Sequence, residues 1–146
     1  MKKLIFLSLF LPVAFASKAQ FTIVNNSTIS LLELRQGEEW PISLQRVTKE
    51  SDTCYVLQFR DQQSSNSEIV SVLKFPNLGQ LRYFQQGLQA LKKGATGDVA
   101  KFKDYTIKRI DMNKGSIGYL LSLGMGSVTN FKQPEADKII AAIATL

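Results

Sequence analysis

Residues 54–93 read CYVLQFRDQQSSNSEIVSVLKFPNLGQLRYFQQGLQALKK, and this stretch decides the fold. Tyr55, Leu57 and Phe59 alternate with Gln58 and Arg60 at a period of two, the pattern of a strand with one buried face. Asp61 to Ser67 is a polar break of hairpin-loop length. Ile69, Ser71, Leu73 and Phe75 then return at the same period, with Val70, Val72 and Lys74 on the opposite face. At Pro76-Asn77 the period changes. Leu78, Leu81, Phe84, Leu88 and Leu91 recur three and four residues apart, which is one apolar stripe on a helix. Asn77 suits the N-cap, with Gln80 three residues on; Lys92 and Lys93 suit the negative end, and Gly94 suits the stop. The spacing predicts a helix over about 78–93. Gly87 costs that helix about 1 kcal/mol relative to Ala. It lies beside Phe84 and Leu91 on the helical surface, so it implies a close approach to a sheet.

Working towards the N-terminus, Phe21 to Val24, Ser30 to Leu34 and the alternating run from Ile42 to Val47 read as strands, with turns near Asn25-Asn26-Ser27 and Gln36-Gly37-Glu38. Towards the C-terminus, Gly94-Ala95-Thr96-Gly97 is a linker and Lys101 to Met112 reads as one strand. Asn113-Lys114-Gly115 is a tight-turn signal. Ile117, Tyr119, Leu121, Leu123 and Met125 form an apolar face, opposite Gly118, Leu120, Ser122 and Gly124. Val128 to Phe131 is a further short strand. Pro134, followed by Glu135 and Asp137, opens a second helix over about 134–145, with Ile139, Ile140, Ile143 and Leu146 as its stripe. The fold class is α+β: an antiparallel, curled sheet of six to eight strands with the two helices packed on one face. Three strands then a helix occur twice, so a duplicated βββα unit is part of the expectation. This tandem order resembles, in topology alone, the Whirly-type single-stranded DNA-binding proteins, and the resemblance implies nucleic-acid binding as one class to weigh.

The first nineteen residues predict a cleaved signal peptide. Lys2 and Lys3 precede an apolar run from Leu4 to Phe15, and small residues follow it. The run falls short of the ~20 residues that a membrane span needs. Cleavage after Ala19 leaves a single globular domain over 20–146; cleavage after Ala16 is the alternative. The whole chain carries 18 Lys+Arg against 12 Asp+Glu, a net +6. Three of those lysines lie before Ala19, so the mature charge is 15 − 12 = +3. Nucleic acid and anionic membranes are usually signalled by a basic stripe on one face, and a charge of +3 alone argues weakly for either. The compartment expected is secreted or periplasmic, a bacterial envelope ahead of eukaryotic secretion. Cys54 is the one cysteine in 146 residues, so no internal disulfide is possible, and it reads as a buried, inert thiol at the start of a strand.

The composition excludes several chemistries. There is no His. Ser-His-Asp and Cys-His arrangements are therefore out of reach, and a zinc site would have to rely on carboxylates. The acids fall mostly in turns, loops and a helix first turn; Asp104 is the exception, between Phe102 and Tyr105 in the strand reading, where exposure or an ion pair with Lys103 accounts for it. Gly124-Met125-Gly126 lacks the partners of a phosphate loop and reads as a turn. Asn25 and Asn26 head two glycosylation-type triplets, which matter in a eukaryotic source. No catalytic, cofactor-binding or metal-ligating residue is expected. The expected function is a non-enzymatic binding or interaction module for an unknown protein or small ligand. The alternative is a carrier whose small residues Gly118, Ser122 and Gly124 leave room for an apolar molecule, and nucleic-acid binding is the remote reading. The surface singled out is the sheet face that no helix covers, carrying Val70, Val72 and Leu120.

Overall fold

The computed structural model describes residues 26–36, 39–62, 70–124 and 126–146. The leader, the strand expected over 21–24, the loop over 63–67, Ile69 at the start of the returning strand, Met125 and the centre of the turn at 37–38 lie outside the described residues.

Among the described residues, eight strands and two α-helices follow one order twice, four strands then a helix, where the sequence predicts three strands then a helix. The first sheet contains β1 (Asn26–Gln36), β2 (Glu39–Lys49), β3 (Asp52–Arg60) and β4 (Val70–Phe75), and is followed by α1 (Leu78–Lys93). The second contains β5 (Val99–Lys101), β6 (Tyr105–Met112), β7 (Ser116–Leu123) and β8 (Val128–Lys132), and is followed by α2 (Gln133–Ala144). Each sheet is an antiparallel meander in sequence order. The class is α+β, as the sequence predicts. The expected single curled sheet is two four-stranded sheets. The helices do not cover one outer face: α1 touches β3 and β4 of the first sheet and β5 and β6 of the second, while α2 touches β1, β7 and β8.

The period-two readings hold where both strands of a pair are described. Tyr55, Leu57 and Phe59 are buried on β3, and Ser71, Leu73 and Phe75 face them from β4. The α1 stripe buries Leu81, Phe84, Leu88 and Leu91, at about 2 kcal/mol of hydrophobic stabilisation each. Asn77 caps the helix by accepting the Gln80 amide at 3.0 Å. In α2, Ala136, Ile139 and Ile143 are buried, and the Lys132 amide donates to Glu135 at 2.6 Å. Both sheets and both helices contribute to one apolar cluster.

Two sequence readings are corrected. The run Lys101 to Met112 is not one strand. Phe102 N donates to Tyr105 O at 2.9 Å, closing a tight turn that separates β5 from β6. Asp104 therefore sits exposed in a hairpin turn and interrupts no strand. Cys54 is half-buried, because strand alternation puts it on the face opposite buried Tyr55.

The sheets join along one seam. Beyond β3, Gln62 N donates to Val128 O at 2.8 Å, and the Asp61 carboxylate accepts the Val128 amide at 3.1 Å. Gln62 Oε1 takes the Asn130 side-chain amide at 2.6 Å, and Ser71 Oγ bonds Ser127 Oγ at 2.8 Å. Residues 61 and 62 thus supply partners to the exposed edge of β8, an edge that would otherwise be open to pairing with another chain.

Candidate functional site

An aromatic ladder runs from the core to solvent at the junction of the two sheets. Phe75 on β4 and Phe84 on α1 contact the Tyr105 ring at centroid distances of 6.3 and 5.9 Å. Tyr105 stacks on Phe102 at 4.3 Å, and Phe102 meets Tyr83 edge to face at 5.7 Å. Tyr83 stands two residues past buried Leu81, off the α1 stripe, and is 61% exposed. Gly87 makes the ladder possible. A Cβ there would stand 2.5 Å from Phe102 Cζ and 3.2 Å from its Cε2, so the tip of the ring reaches into the space that a side chain on the helix would fill. The close approach predicted for Gly87 is therefore present, and the ring of Phe102 is what approaches.

Around this ladder lies an open groove of about 640 Å³, with Lys74, Tyr83, Lys101, Phe102, Lys103 and Asp104 among its walls. Lys74 also borders a second groove of about 630 Å³, shared with Ser71, Val72, Lys103, Gly124 and Ser127. It borders a third of about 640 Å³, which contains Lys49, Glu50, Asp52 and Cys54. One lysine is thus the common wall of three grooves. In the first groove three lysines stand against one carboxylate. Burial pushes the Tyr105 phenol well above its ordinary value, and the Asp104 charge adds to that shift.

The turns that shape the groove are tied to one another. Asp104 O accepts the Gly124 amide at 3.1 Å, and Ser127 O accepts the Leu123 amide at 2.9 Å. Arg109 on β6 fixes the other end of α1: its guanidinium donates to Leu91 O at 2.9 Å, which also takes the Gly94 amide at 3.1 Å, and to Lys92 O at 2.6 Å. Lys92 in turn bonds Asp137 of α2 at 2.7 Å. Buried Tyr119 on β7 donates its hydroxyl to Gln133 of α2. Burial pushes that phenol upward, and the nearby Arg109 charge opposes the shift.

The sheet faces turned away from the helices bear out the expected partly apolar surface. Val70 and Val72 are 42% and 50% exposed, and Leu120 is half-buried. Beside them on the first sheet, Gln58 Oε1 accepts from Ser43 Oγ at 3.3 Å and from Gln45 Nε2 at 3.4 Å. The room expected over Gly118 is filled: a Cβ there would stand 2.7 Å from Met112 Cγ. Among the described residues, no group of three or more Asp, Glu and Cys side chains is arranged to hold a metal ion, and no helix is long and apolar enough to cross a membrane.

Sequence reasoning singled out Cys54 and Asp104 separately, and they line different grooves that share Lys74. It missed Tyr83, Phe102 and Lys103 as a group. The usable signal was Gly87, which announced that something would lie against α1. No protein-family model, curated protein or solved structure matches this chain.

Proposed function

We propose that the chain is a small exported binding module without catalytic activity, and that its ligand lies in the groove between Tyr83 and Lys74. The reading rests on one observation: an exposed tyrosine, backed by stacked Phe102 and Tyr105, stands among Lys74, Lys101 and Lys103 with Asp104 as the one opposing charge. An aromatic face offers contact area at low entropy cost, and lysines beside it select an anion. The ligand is therefore a small molecule or segment that carries both a ring and a negative charge. Export follows from Lys2, Lys3 and the apolar run to Phe15, and would place the ligand in the periplasm or outside the cell.

The aromatic anion anilinonaphthalene sulfonate is a suitable probe. Its fluorescence is expected to rise saturably with the protein, with affinity falling about tenfold in Tyr83→Ser, as loss of one ring contact implies. Lys103→Gln is expected to weaken it further. No saturable signal, or equal affinity in both variants, would remove the groove as a ligand site.

Exposed rings among lysines are also what single-stranded nucleic acid uses, so the same observation favours that as the second reading. A short oligonucleotide distinguishes the two. If it displaces the probe with the steep salt dependence of counterion release, the ligand is a nucleic acid. Of the small residues that the carrier reading relies on, Gly118 is covered by Met112, while Gly124 lines the groove of about 630 Å³.

A further inference from the structure

The mature charge of +3 conceals a strong division. Residues 20–75 carry five Lys+Arg against seven Asp+Glu, and residues 76–146 carry ten against five. The first sheet thus lies in a segment of net −2, and the second, with both helices, in a segment of net +5. On the second sheet the strand registers set the outer face. Buried Ile107, Tyr119, Leu121, Thr129 and Phe131 point to the helices, so their chain neighbours point away.

Successive rows on that outer face read Lys101–Thr106–Ser122–Val128, then Val99–Lys108–Leu120–Asn130, then Ile110–Gly118–Lys132. Lys101 on β5, Lys108 on β6 and Lys132 on β8 form a diagonal stripe, each one row further along, and all three are exposed. From strand and residue spacings the stripe is about 20 Å long. None of the outward positions in these rows is an Asp or Glu. Between the lysines stand Val99, Ile110 and Leu120, of which Val99 is 43% exposed.

We infer that this face docks on an anionic lipid surface. Lysines reach anionic headgroups while aliphatic side chains between them meet the interface, and the strand register places all of them on one face of the sheet. The composition of the face decides between polyanions. Single-stranded nucleic acid is held by aromatic stacking platforms, and this face carries aliphatic residues with no aromatic ring among its outward positions. The inference stands independently of the groove ligand.

The test is co-sedimentation of the natively produced protein with vesicles of phosphatidylcholine alone or mixed equally with phosphatidylglycerol, at low salt. Each lysine near an anionic surface contributes about fivefold in partition. The triple variant Lys101→Gln, Lys108→Gln, Lys132→Gln is expected to lose on the order of 100-fold on mixed vesicles. A second triple, Lys49→Gln, Lys93→Gln, Lys138→Gln, has the same net charge but alters exposed lysines elsewhere, and is expected to stay within about fivefold of the parent. Lys108→Gln alone, expected to lose about fivefold, supplies the reading if the triple fails to fold. Absence of preference for mixed vesicles, equal losses in the two triples, or displacement of the vesicles by an oligonucleotide would each overturn the assignment.

Discussion

Replacing Gly87 by Ala opposes two effects whose sizes the structure sets. In an isolated helix the change gains about 1 kcal/mol, because glycine loses more backbone freedom on folding than alanine. Here the new Cβ would lie 2.5 Å from Phe102 Cζ and 3.2 Å from its Cε2, with Ala100 Cβ at 3.6 Å. Something must move, and the ring is the mobile partner. Phe102 is held by stacking on Tyr105 and by the edge contact with Tyr83. Aromatic pairs contribute about 0.5–1.5 kcal/mol each beyond their buried area, so displacing the ring from both costs about 2 kcal/mol. The net expectation is a loss of about 1 kcal/mol from a substitution that favours the helix. In a Phe102→Leu background the clashing Cζ is gone and Gly87→Ala should stabilise by about 1 kcal/mol, so the sign reverses. Urea unfolding followed by far-UV circular dichroism, analysed with a common slope across the four proteins of the cycle, measures this coupling. In a thermal melt, 1 kcal/mol corresponds to about 4 °C for a domain of this size. If Gly87→Ala stabilises the parent as much as it stabilises the Phe102→Leu protein, the ring does not rest on the helix and the ladder is wrongly placed.

Arg109→Met keeps the aliphatic stem and removes the donors to Leu91 O and Lys92 O. The expected cost is about 2 kcal/mol, the scale of a charge-assisted hydrogen bond, with faster amide exchange confined at first to the last turn of α1; uniform exchange changes would count against the cap. For Asp137, the hydrogen bond from Lys92 holds the carboxyl below its ordinary value of 3.8, burial acts the other way, and Gln133 assists the lowering. A folded-state value below the unfolded one gives stability that is complete above about pH 4 and lost as pH falls through the folded value. The difference between the parent and Asp137→Asn should therefore be flat from about pH 7 to 5 and shrink below 4. Both partners are nearly half exposed, so the whole difference stays below about 1 kcal/mol and is weakened by salt. A difference that widens towards low pH would show that the carboxylate is not stabilised by this pair.

How much of this was legible depends on the range of each interaction. Leu57 against Gln58, or Leu81 and Leu88 seven residues apart, record burial in their own spacing, and those elements appear where the sequence puts them. The split of Lys101 to Met112 was hidden, because Asp104 is the one turn-forming residue in Lys103-Asp104, with no Gly or Pro beside it, and alternation continues on both sides. Whether eight strands make one sheet or two is decided by contacts such as Gln62 with Val128 and Ser71 with Ser127, more than fifty residues apart, and no local pattern encodes them. The groove was illegible for the same reason. Tyr83 reads as a solvent-facing helix position and Phe102 as a strand residue, and only folding α1 against β5 brings the two rings together.

Placing the helices between the sheets has a consequence for function. A sheet covered by helices on one side leaves its other side free to diverge in composition without disturbing the core. Here the first sheet mixes Gln58, Val70 and Val72 with Lys49, Arg60 and Lys74 on its outward positions, and the second carries a lysine stripe without an acid in its rows. The groove lies where the two meet, and Lys101 stands at the corner, on the outer row of β5 and in the groove wall. A ligand in the groove and a surface beneath the second sheet would therefore compete for the same ammonium group. Lys101→Gln should weaken both the fluorescent probe and the vesicles, whereas Lys108→Gln affects the vesicles alone and Tyr83→Ser the probe alone. Probe binding that is insensitive to saturating mixed vesicles would separate the two surfaces and leave Lys101 serving just one of them.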